Sequence, residues 1–559
     1  MQGHSAQVRS CRPLGVALLL GFSASCENEG PEFPYGMTEV SYLSGLGQLP
    51  SHSNRDPAAL IEVKGGGLAL IDGDGDGDLD LFLPACGGSV TDPDMSSGGR
   101  YMENLGRLKF RDATQASGLS FSRWSFGTAV GDVNGDGLDD LFVCAHGPNS
   151  LFLQQVGGGF RDASASSGLA QTSVWSTAAS FGDFDGDGDL DLYVANYVQF
   201  DPESLPKPMM FRGAEVFGGP LGLSAEPDEV YLNEGDGSFV PASLGFAAVK
   251  AAYGLGVVSA DFDGDGTQEI FVGNDSGPNF FFQRGADGLF SENGLTSGIA
   301  FDENGLGQAT MGIALGDVNR DGRPDVFTSN FMGDRNTLHL NLGDLFFDDA
   351  TRRWGLGQIS VPYLGWATTF LDMDCDGTQE LLVFNGHVYG ETICRQQGWS
   401  QRQPALLFRQ VENRFEPIHA AEAGDWVQQQ GIERGAVCAD LDRDGDMDLV
   451  VRDLTGSVRL LRNDAAPGRG ILLSLQQPGS MNRRAIGSRV ALLGGPRPQY
   501  RWITSSGTYQ SANAQEAQFG TGSHKGPFQA EVTWPDGSSE RFPALMPGMN
   551  FVLVRGSGE

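Results

Sequence analysis

An acidic nine-residue loop recurs along this chain and constrains its fold more than any other feature. In the copy at 183–191 the sequence reads Asp-Phe-Asp-Gly-Asp-Gly-Asp-Leu-Asp. Acids occupy positions 1, 3, 5 and 9, and a glycine follows at position 6, where the chain must turn sharply. Carboxylates this close repel one another unless a cation lies among them, and hard oxygen ligands favour Ca²⁺.

Seven copies of the loop share one register. Positions 1, 3, 5 and 9 are, copy by copy, Asp72, Asp74, Asp76 and Asp80; Asp132, Asn134, Asp136 and Asp140; Asp183, Asp185, Asp187 and Asp191; Asp261, Asp263, Asp265 and Glu269; Asp317, Asn319, Asp321 and Asp325; Asp372, Asp374, Asp376 and Glu380; Asp440, Asp442, Asp444 and Asp448. The sequence therefore predicts several Ca²⁺ ions, up to seven. The alternative for one or two copies is a solvated acidic turn.

An EF-hand loop begins in the same way, but it requires a Glu at position 12 and a helix after it. Position 12 of these loops is Leu, Val or Thr in every copy. The residues after position 9 are β-branched and aromatic, as in Asp-Leu-Phe-Val at 140–143, which is typical of strands. We therefore interpret the loops as calcium sites that join two strands of a sheet.

The loop starts lie 60, 51, 78, 56, 55 and 68 residues apart, a period that indicates a propeller or a solenoid. Each repeat contains four short strand-like segments; in the second copy these are 127–130, 141–143, 150–153 and 160–164. The pattern predicts an all-β fold with a seven-bladed β-propeller over 31–466. Residues 467–559 lack the loop and alternate as strands, which predicts a small C-terminal β-sandwich-like domain.

Three segments outside the repeats complete this interpretation. Residues 37–46 match the fourth strands of other repeats, and the last repeat lacks a fourth strand of its own, so we expect this segment to close the ring and remove an exposed edge. Insertions at 201–228 and 386–403 follow second strands. Both should project from one rim, opposite the calcium loops, either as a binding surface or as a cap over the blades.

The N-terminus has the pattern of an export signal. Arg9 and Arg12 precede a short apolar run at 14–22, which is too short to span a bilayer. Small residues then lead to Cys26, which predicts a lipoprotein signal over 1–25 with Cys26 lipidated; ordinary cleavage after Ser25 is the alternative. The protein is therefore expected in the cell envelope or secreted. A net charge of −34 argues against nucleic acid as a partner.

The internal cysteines show no metal or redox pattern. They are Cys86, Cys144, Cys375, Cys394 and Cys438, and none forms a C-x-x-C pair. Cys375 and Cys394 flank one repeat, so a bridge between them is an open alternative to free thiols.

Several short motifs resemble those of a known family. They are Asn-Gly-His-Val-Tyr at 385–389, Arg-Gly at 434–435, Arg-Asn at 462–463, Asn-Arg-Arg-Ala-Ile-Gly at 482–487, Tyr-Gln-Ser at 509–511, Phe-Gly-Thr-Gly at 519–522 and Trp-Pro-Asp-Gly at 534–537. The blades resemble the FG-GAP/VCBS repeats of integrin α-chain propellers, and the whole chain resembles the cartilage acidic protein family with its C-terminal ASPIC/UnbV domain. The resemblance implies a secreted or surface-held, calcium-binding propeller with that domain appended. The insertion at 201–228 lacks the cysteines that many relatives carry there, so no disulfide is expected in it.

No motif of a known enzyme class stands out. The chain has seven histidines, with no H-E-x-x-H, G-x-S-x-G or phosphate-binding loop. His387 is the one candidate for chemistry, and a hydrogen bond to loop backbone is its simpler role. The first hypothesis is a non-catalytic propeller that binds an extracellular or periplasmic protein or glycan, with structural calcium. The second is an envelope enzyme, or an accessory to one, with a pocket at the channel mouth or the domain interface.

Overall fold

The computed structural model describes residues 33–49, 56–86, 88–90, 98–120, 122–170, 174–465 and 469–559. The signal segment 1–25, Cys26 and the predicted domain boundary at 466–467 lie outside the described residues. Strands dominate what is described, which confirms the all-β prediction. None of the described helices is both long enough and apolar enough to cross a membrane.

Five four-stranded antiparallel sheets and one eight-stranded sheet form the larger part of the described residues. The eight-stranded sheet consists of two four-stranded units that are joined where Val174 and Trp175 pair with Gly147 and His146. We name the resulting seven four-stranded units blades 1 to 7. The N-terminal segment provides β1 (Met37–Glu39). Blade 1 contains β2 (Ala69–Ile71), β3 (Asp80–Leu83), β4 (Arg100–Asn104) and β5 (Phe110–Asp112); blade 2 contains β6 (Ser125–Gly131), β7 (Asp140–Gly147), β8 (Ser150–Gln154) and β9 (Phe160–Asp162). Blade 3 contains β10 (Val174–Gly182), β11 (Asp191–Asn196), β14 (Glu229–Asn233) and β15 (Phe239–Ala242), with a hairpin of β12 (Met209–Phe211) and β13 (Ala214–Val216) between its second and third strands.

The remaining blades repeat this order. Blade 4 contains β16 (Gly254–Ala260), β17 (Glu269–Asn274), β18 (Phe280–Arg284) and β19 (Phe290–Glu292); blade 5 contains β20 (Ile313–Gly316), β21 (Asp325–Thr328), β22 (Thr337–Asn341) and β23 (Phe347–Asp349). Blade 6 contains β24 (Gly365–Leu371), β25 (Glu380–Asn385), β26 (Leu406–Val411) and β27 (Arg414–Pro417); blade 7 contains β28 (Glu433–Ala439), β29 (Asp448–Asp453) and β30 (Val458–Asn463). The described helices are short: α1 (Ser41–Ser44), α2 (Thr114–Ser117), α3 (Gly294–Ser297), α4 (Glu391–Gln397) and α5 (Ala420–Ala423), with 3₁₀ turns at Leu46–Gln48, Leu60–Val63, Phe246–Ala248 and Asp425–Gln428.

The N-terminal strand closes the ring. β1 pairs antiparallel with β30, with Met37 opposite Asn463 and Glu39 opposite Leu461, and so becomes the fourth strand of blade 7. Each blade also shares a buried apolar cluster with the next, and one such cluster joins Leu70 of blade 1 to Leu460 of blade 7. The prediction that 37–46 supplies the missing outer strand is confirmed, and it removes a sheet edge that would otherwise be exposed.

A recurring glycine after the outer strand fixes the distance between neighbouring blades. Gly118 ends α2 with φ +82°, and a Cβ on it would lie 2.4 Å from the carbonyl oxygen of Phe160 in blade 2. Gly168 has φ +86° and would meet the carbonyl oxygen of Phe239 in blade 3 at 2.3 Å. Both the left-handed conformation and the close approach of the backbone therefore require glycine at these positions.

The two insertions meet on one rim, as predicted. Both follow a second strand, which places them opposite the loops that join first strands to second strands. Phe211 in β12 lies 5.8 Å from Tyr389 and 6.0 Å from Trp399 in the other insertion, measured between ring centroids. The insertions therefore form a continuous surface across the ring.

The C-terminal domain is built from two sheets around a common apolar core. The first sheet has the order β34 (Glu516–Gly520), β31 (Gly470–Gln476) and β37 (Met549–Val554), in which β31 and β37 are parallel. The second has the order β33 (Gln499–Trp502), β32 (Arg489–Leu493), β35 (Phe528–Thr533) and β36 (Ser539–Leu545). Residues such as Leu473, Val490 and Val532 bring the two sheets together, and Phe142 and Phe181 of blades 2 and 3 join the same cluster.

A segment of this domain, residues 503–515, fills the centre of the ring, and we call it the plug. It forms hydrogen bonds with the first strands of several blades or with the residues just before them. The Ser505 hydroxyl accepts from Phe181 N at 2.7 Å, and the hydroxyls of Ser506 and Thr508 donate to Val257 O at 3.0 Å and Ala436 O at 2.9 Å. The Tyr509 hydroxyl donates to Lys64 O at 2.6 Å, and Ala512 N donates to Leu68 O at 2.9 Å. Sequence analysis did not predict the plug.

Cys375 and Cys394 are free thiols, so no bridge links them. The thiol of Cys394 donates to the Tyr389 carbonyl at 3.1 Å, inside the second insertion. Cys375 lies in the acidic loop of blade 6 with φ +53°. The two residues therefore belong to different parts of their blade.

Candidate metal centres

All seven acidic loops connect the first strand of a blade to the second, so they lie on one face of the ring. The acid at position 9 is in each case the first residue of the second strand, from Asp80 in β3 to Asp448 in β29. The strand pair therefore fixes both ends of the loop, and the glycine at position 6 takes a positive φ, such as +95° at Gly188, to turn the chain back.

The carboxylate at position 1 organises the loop backbone. In blade 3, Asp183 accepts from Gly186 N at 2.7 Å and from Gly188 N at 3.1 Å, one bond to each oxygen. The corresponding acids Asp72, Asp132, Asp261, Asp317, Asp372 and Asp440 all accept from the glycine at position 6 at 2.8–3.1 Å. Each oxygen retains a lone pair, so these bonds orient the carboxylate without preventing it from binding a cation.

The acids at positions 3 and 5 each use one oxygen locally. Asp185 Oδ1 accepts from Asp187 N at 3.1 Å, and Asp187 Oδ1 accepts from Asp189 N at 3.1 Å. The second oxygen of each side chain has no such backbone bond and is available as a ligand. Asn134 and Asn319 replace the acid at position 3 in blades 2 and 5, where an amide oxygen can serve in the same way.

The acid at position 9 links three parts of its blade. Asp191 accepts from Phe184 N at 2.8 Å and from Asn233 N of the third strand at 3.0 Å. Asp80, Asp140, Asp325 and Asp448 make the same pair of bonds in their blades. Position 9 therefore has a structural role in addition to the ligand role predicted for it.

Ligand oxygens converge in five of the loops. Within each of the following groups, one oxygen per residue lies within 4.8 Å of the others: Asp72, Asp74 and Asp80; Asp183, Asp185 and Asp191; Asp261, Asp263 and Asp265; Asp372, Asp374 and Glu380; Asp440, Asp442 and Asp444. The two loops with Asn at position 3 do not bring three acids together. Several oxygen ligands at this spacing are what Ca²⁺ requires.

Burial and mutual repulsion hold these carboxyls above their ordinary pKa. Burial, with a contribution from neighbouring acids, raises the pKa of Asp140 and Asp191 to about 8 and that of Asp80 to about 7. The pKa of Glu380 and of Asp448 is raised for the same reasons. Because a bound cation supplies the opposite charge, it would lower these pKa values and stabilise the ionised loops.

Position 7 carries acids that sequence analysis did not select. Asp189 is buried, and its Oδ1 has no hydrogen-bond partner among the described residues. Asp446 is 1% exposed, and neither of its carboxylate oxygens has such a partner, nor does Oδ1 of Asp442 in the same loop. Buried oxygens of this kind are costly unless a cation or water satisfies them, so they fit the calcium prediction. An acid occurs at position 7 in three of the seven loops, and this recurrence in the sequence could have identified Asp189 and Asp446 as candidate ligands.

The C-terminal domain covers this face of the ring. Residues 469–559 carry nine Lys or Arg and five Asp or Glu, so a basic domain lies on acidic loops. Arg484 forms a bidentate pair with Asp139 at 2.8 and 2.9 Å, and Arg483 donates to Gly135 O at 2.9 Å. Gly520 N donates to Asp372 at 3.0 Å, so the domain also holds a predicted calcium ligand.

His387 lies on the opposite side, inside the second insertion. It is 0% exposed, and Tyr389 N donates to its Nδ1 at 3.0 Å, which confirms the simpler role predicted for it. Burial, followed by the positive charges of Arg434 and Arg212, lowers its pKa to about 3. The imidazole is therefore neutral at physiological pH, and no carboxylate is hydrogen-bonded to it among the described residues.

Family models match both parts of the chain. The FG-GAP-like repeat matches at 72–143, 132–194, 215–272, 261–328 and 317–383, which together cover just over half of the chain. The ASPIC and UnbV model matches 478–559. The repeat matches begin mostly at the acidic loops, so the loop and its flanking strands carry the likeness.

Curated relatives and solved structures extend these matches. Cartilage acidic protein 1 of Mus musculus is 25% identical over 379 residues, covering 66% of this chain and 53% of the relative; that of Homo sapiens is 24% identical, covering 66% and 51%. The chain thus spans about half the length of these relatives. An Agrocybe aegerita lectin that recognises non-reducing terminal N-acetylglucosamine gives a TM-score of 0.37 at 12% identity over 75% of this chain and 94% of that chain. BBS1N in complex with ARL6DN gives a TM-score of 0.40 at 10% identity over 73% of this chain and 94% of that chain.

TM-scores of this size support no conclusion about ligands. The family models carry the assignment, because they cover both the repeats and the C-terminal domain. The homology to cartilage acidic protein 1 agrees with them. The chain therefore belongs to the family of FG-GAP-like repeat proteins that carry a C-terminal ASPIC and UnbV domain.

Proposed function

We propose that this chain is an exported, calcium-stabilised propeller that binds a protein or a glycan through its insertion-bearing rim and has no catalytic activity. The convergence of carboxylates in the acidic loops, together with the unpartnered buried oxygens of Asp189 and Asp446, supports the calcium part of the proposal. Export, with Cys26 as the lipid-anchor site, remains the interpretation of the N-terminal sequence.

The role proposed for calcium is structural. Each loop joins two strands of one blade, and position 9 joins the third. An ion that binds only the folded chain stabilises it by about 2.7 kcal/mol per site when free calcium is about 100 times the dissociation constant. Seven such loops hold the blades of a ring whose acids would otherwise repel one another.

The position of the C-terminal domain supports the choice of the rim as the binding surface. The plug fills the centre of the ring, and the same domain covers the loop face with contacts such as Arg484 to Asp139. The opposite rim carries the two insertions, which bring aromatic and basic side chains together. The binding part of the proposal is supported by this contrast between a covered loop face and an opposite rim that carries both insertions.

The rival proposal, an enzyme with a pocket at the channel mouth, has less support. His387 would be its acid–base group, but its pKa is lowered to about 3 and it bonds to loop backbone. A cleft beside it is lined by two arginines and by no carboxylate of the described residues. Paired carboxylates of the kind used in glycoside hydrolysis do not occur in that cleft.

The first experiment is to count calcium ions on the mature protein by native mass spectrometry and to measure unfolding with and without chelator. We expect five to seven ions and a large loss of stability in chelator. The absence of bound calcium, or an unchanged unfolding transition in chelator, would contradict the structural role. Deleting the tip of the first insertion should then abolish partner binding without changing the ion count.

A further inference from the structure

A cleft lies between the two insertions on the rim. Its volume is about 480 Å³, within the range of small-molecule sites in proteins. Arg212 of the first insertion and Trp399 and Arg402 of the second line it, and Tyr363, which precedes β24, completes one wall. Three separate parts of the chain therefore build one concavity.

Arg212 lies at the tip of a tight hairpin. It lies between β12 and β13, and the two turn residues, Arg212 and Gly213, both have positive φ, +47° and +88°, as in a type I′ turn. Positive φ at both turn residues is what a type I′ hairpin requires, so the turn itself fixes the backbone at Arg212. The guanidinium packs against Phe211 and forms no hydrogen bond or ion pair with another described residue.

The charge of the cleft is opposite to that of the protein. The chain carries −34, yet the cleft is lined by two cations and by no carboxylate among the described residues. Two acids lie near these arginines but outside the lining. Asp453 is 3.6 Å from Arg402, which is a long distance for an ion pair. Asp334 lies near Arg212, and burial raises the pKa of its carboxyl group, which favours the uncharged form. Arg402 remains 53% exposed despite that pair, so it can reach a ligand.

A neutral donor lies directly behind the aromatic wall. His387 stacks on Trp399 with 5.1 Å between ring centroids, and its Nδ1 accepts from Tyr389 N. Its other nitrogen, Nε2, therefore carries the proton, and it has no partner among the described residues although the residue is 0% exposed. His387 does not itself line the cleft, so its contribution is the stacking contact that supports the Trp399 ring.

We propose that this rim cleft binds an acidic saccharide, with its carboxylate or sulfate held by Arg212 and Arg402 and its ring placed against Trp399. The proposal rests on the rim-binding function proposed above and names the ligand class for it. Guanidinium groups bind carboxylate and sulfate through paired N–H donors. Aromatic rings with a few polar groups around them are typical of sites for compact ligands.

The shape of the cleft favours a saccharide over an acidic peptide. Its walls are short loops that present the exposed side chains of Ser400 and Gln430, which suit a ligand with hydroxyl groups. An extended peptide would instead use an open strand edge and a row of backbone bonds. An acidic peptide is therefore the competing outcome of the test.

The test is calorimetric titration of the calcium-saturated mature protein with four probes. These are a galacturonate oligosaccharide, a sulfated oligosaccharide, a neutral oligosaccharide of the same length and an oligoglutamate peptide. The variants are Arg212→Asn, which tolerates the positive φ of the turn, and Arg402→Gln. Arg395→Gln is the matched control, because Arg395 lies in α4 of the same insertion and is 78% exposed but does not line the cleft.

We expect one or both acidic saccharides to bind and the neutral saccharide and the peptide to bind at least tenfold more weakly. Arg212→Asn and Arg402→Gln should each weaken binding by about tenfold or more, since hydrogen bonds to charged groups contribute that order of affinity. Arg395→Gln should leave the affinity unchanged. Preference for the carboxylated or the sulfated probe identifies which anion the cleft takes.

Several results would overturn the proposal. They are equal binding of the neutral saccharide, preferential binding of the peptide, no binding of any probe, or acidic-saccharide binding that the two cleft variants do not weaken. Rim function is tested separately, by partner binding after deletion of the tip of the first insertion. A protein or neutral glycan that binds the rim would preserve the proposed function while removing the acidic-saccharide proposal.

Discussion

Asp187→Ala separates the local role of a loop acid from its predicted role as a calcium ligand. Asp187 is exposed at position 5 of the blade 3 loop, and it accepts one backbone hydrogen bond, from Asp189 N at 3.1 Å. Without calcium the variant loses that bond, which costs about 0.5–1.5 kcal/mol at most, and it also loses the repulsion between Asp187 and the neighbouring Asp189, which offsets part of that cost. With free calcium at about 100 times the dissociation constant, loss of the site removes a further 2.7 kcal/mol or so.

Asp236→Ala is the matched control for this experiment. Asp236 is also exposed and accepts from Ser238 N at 3.0 Å in the same type of turn, but it joins β14 to β15 and lies outside the acidic loops. Denaturant unfolding in calcium and in chelator measures the cost of each variant, and native mass spectrometry counts the ions. Asp187→Ala should lose one ion, and it should reduce the free energy of unfolding more in calcium than in chelator. Asp236→Ala should keep all its ions and reduce the free energy of unfolding equally in both conditions. An unchanged ion count, or equal costs in both conditions, would refute the ligand assignment.

Three further predictions test the ring, its buried charge and its C-terminal domain. Gly118→Ala should destabilise the protein by about 2–4 kcal/mol in denaturant unfolding, because the new Cβ would lie 2.4 Å from the Phe160 carbonyl oxygen. Gly157→Ala is the control: Gly157 also has a positive φ, +96°, but no atom lies within 4 Å of its Cβ position, so this change should cost about 1 kcal/mol. Burial raises the pKa of Glu433 to about 7 despite its pairing with Arg459, so the folded state holds this proton more tightly than the unfolded state. The resulting penalty is absent below pH 4.5 and grows to about 3 kcal/mol by pH 7, and Glu433→Gln should remove that part of the slope of stability against pH. Arg484→Ala breaks the bidentate pair with Asp139 and should speed hydrogen exchange in the plug, while Arg541→Ala, whose partner Glu531 lies within the C-terminal domain, should not.

The repeats could be predicted because each acidic loop encodes its own geometry. Position 1 bonds to glycine N–H groups five residues away, and position 9 begins a strand, so local sequence determines the loop. The closing strand could be predicted for a related reason. Residues 37–46 repeat a pattern seen after other blades, and the last repeat lacked a partner for its third strand.

The plug and the rim cleft could not be predicted because their contacts are not periodic. Ser505 meets Phe181, 324 residues earlier, through a hydroxyl and a backbone N–H that carry no sequence signature. The cleft combines Arg212, Tyr363 and Trp399 from three segments, and only folding brings them together. The buried acids at position 7 are an intermediate case, because an acid recurs there in only three of the seven loops, whereas positions 1, 3, 5 and 9 carry a possible oxygen ligand in all of them.

The arrangement of charge predicts that the proposed calcium binding and the docking of the C-terminal domain are coupled. The loop face concentrates acids whose pKa values burial and repulsion raise, so this face is destabilised at neutral pH unless positive charge is supplied. Arginines of the C-terminal domain supply part of it, through Arg484 at Asp139, and Gly520 N bonds directly to Asp372 of a predicted site. If the loops bind calcium as proposed, we expect its loss to weaken the surface on which the domain rests, and loss of the domain to remove a hydrogen bond that orients the proposed ligand Asp372. The insertions of the rim lie on the other side of the ring, so a substitution there, such as Arg212→Asn, should leave this charge balance unchanged.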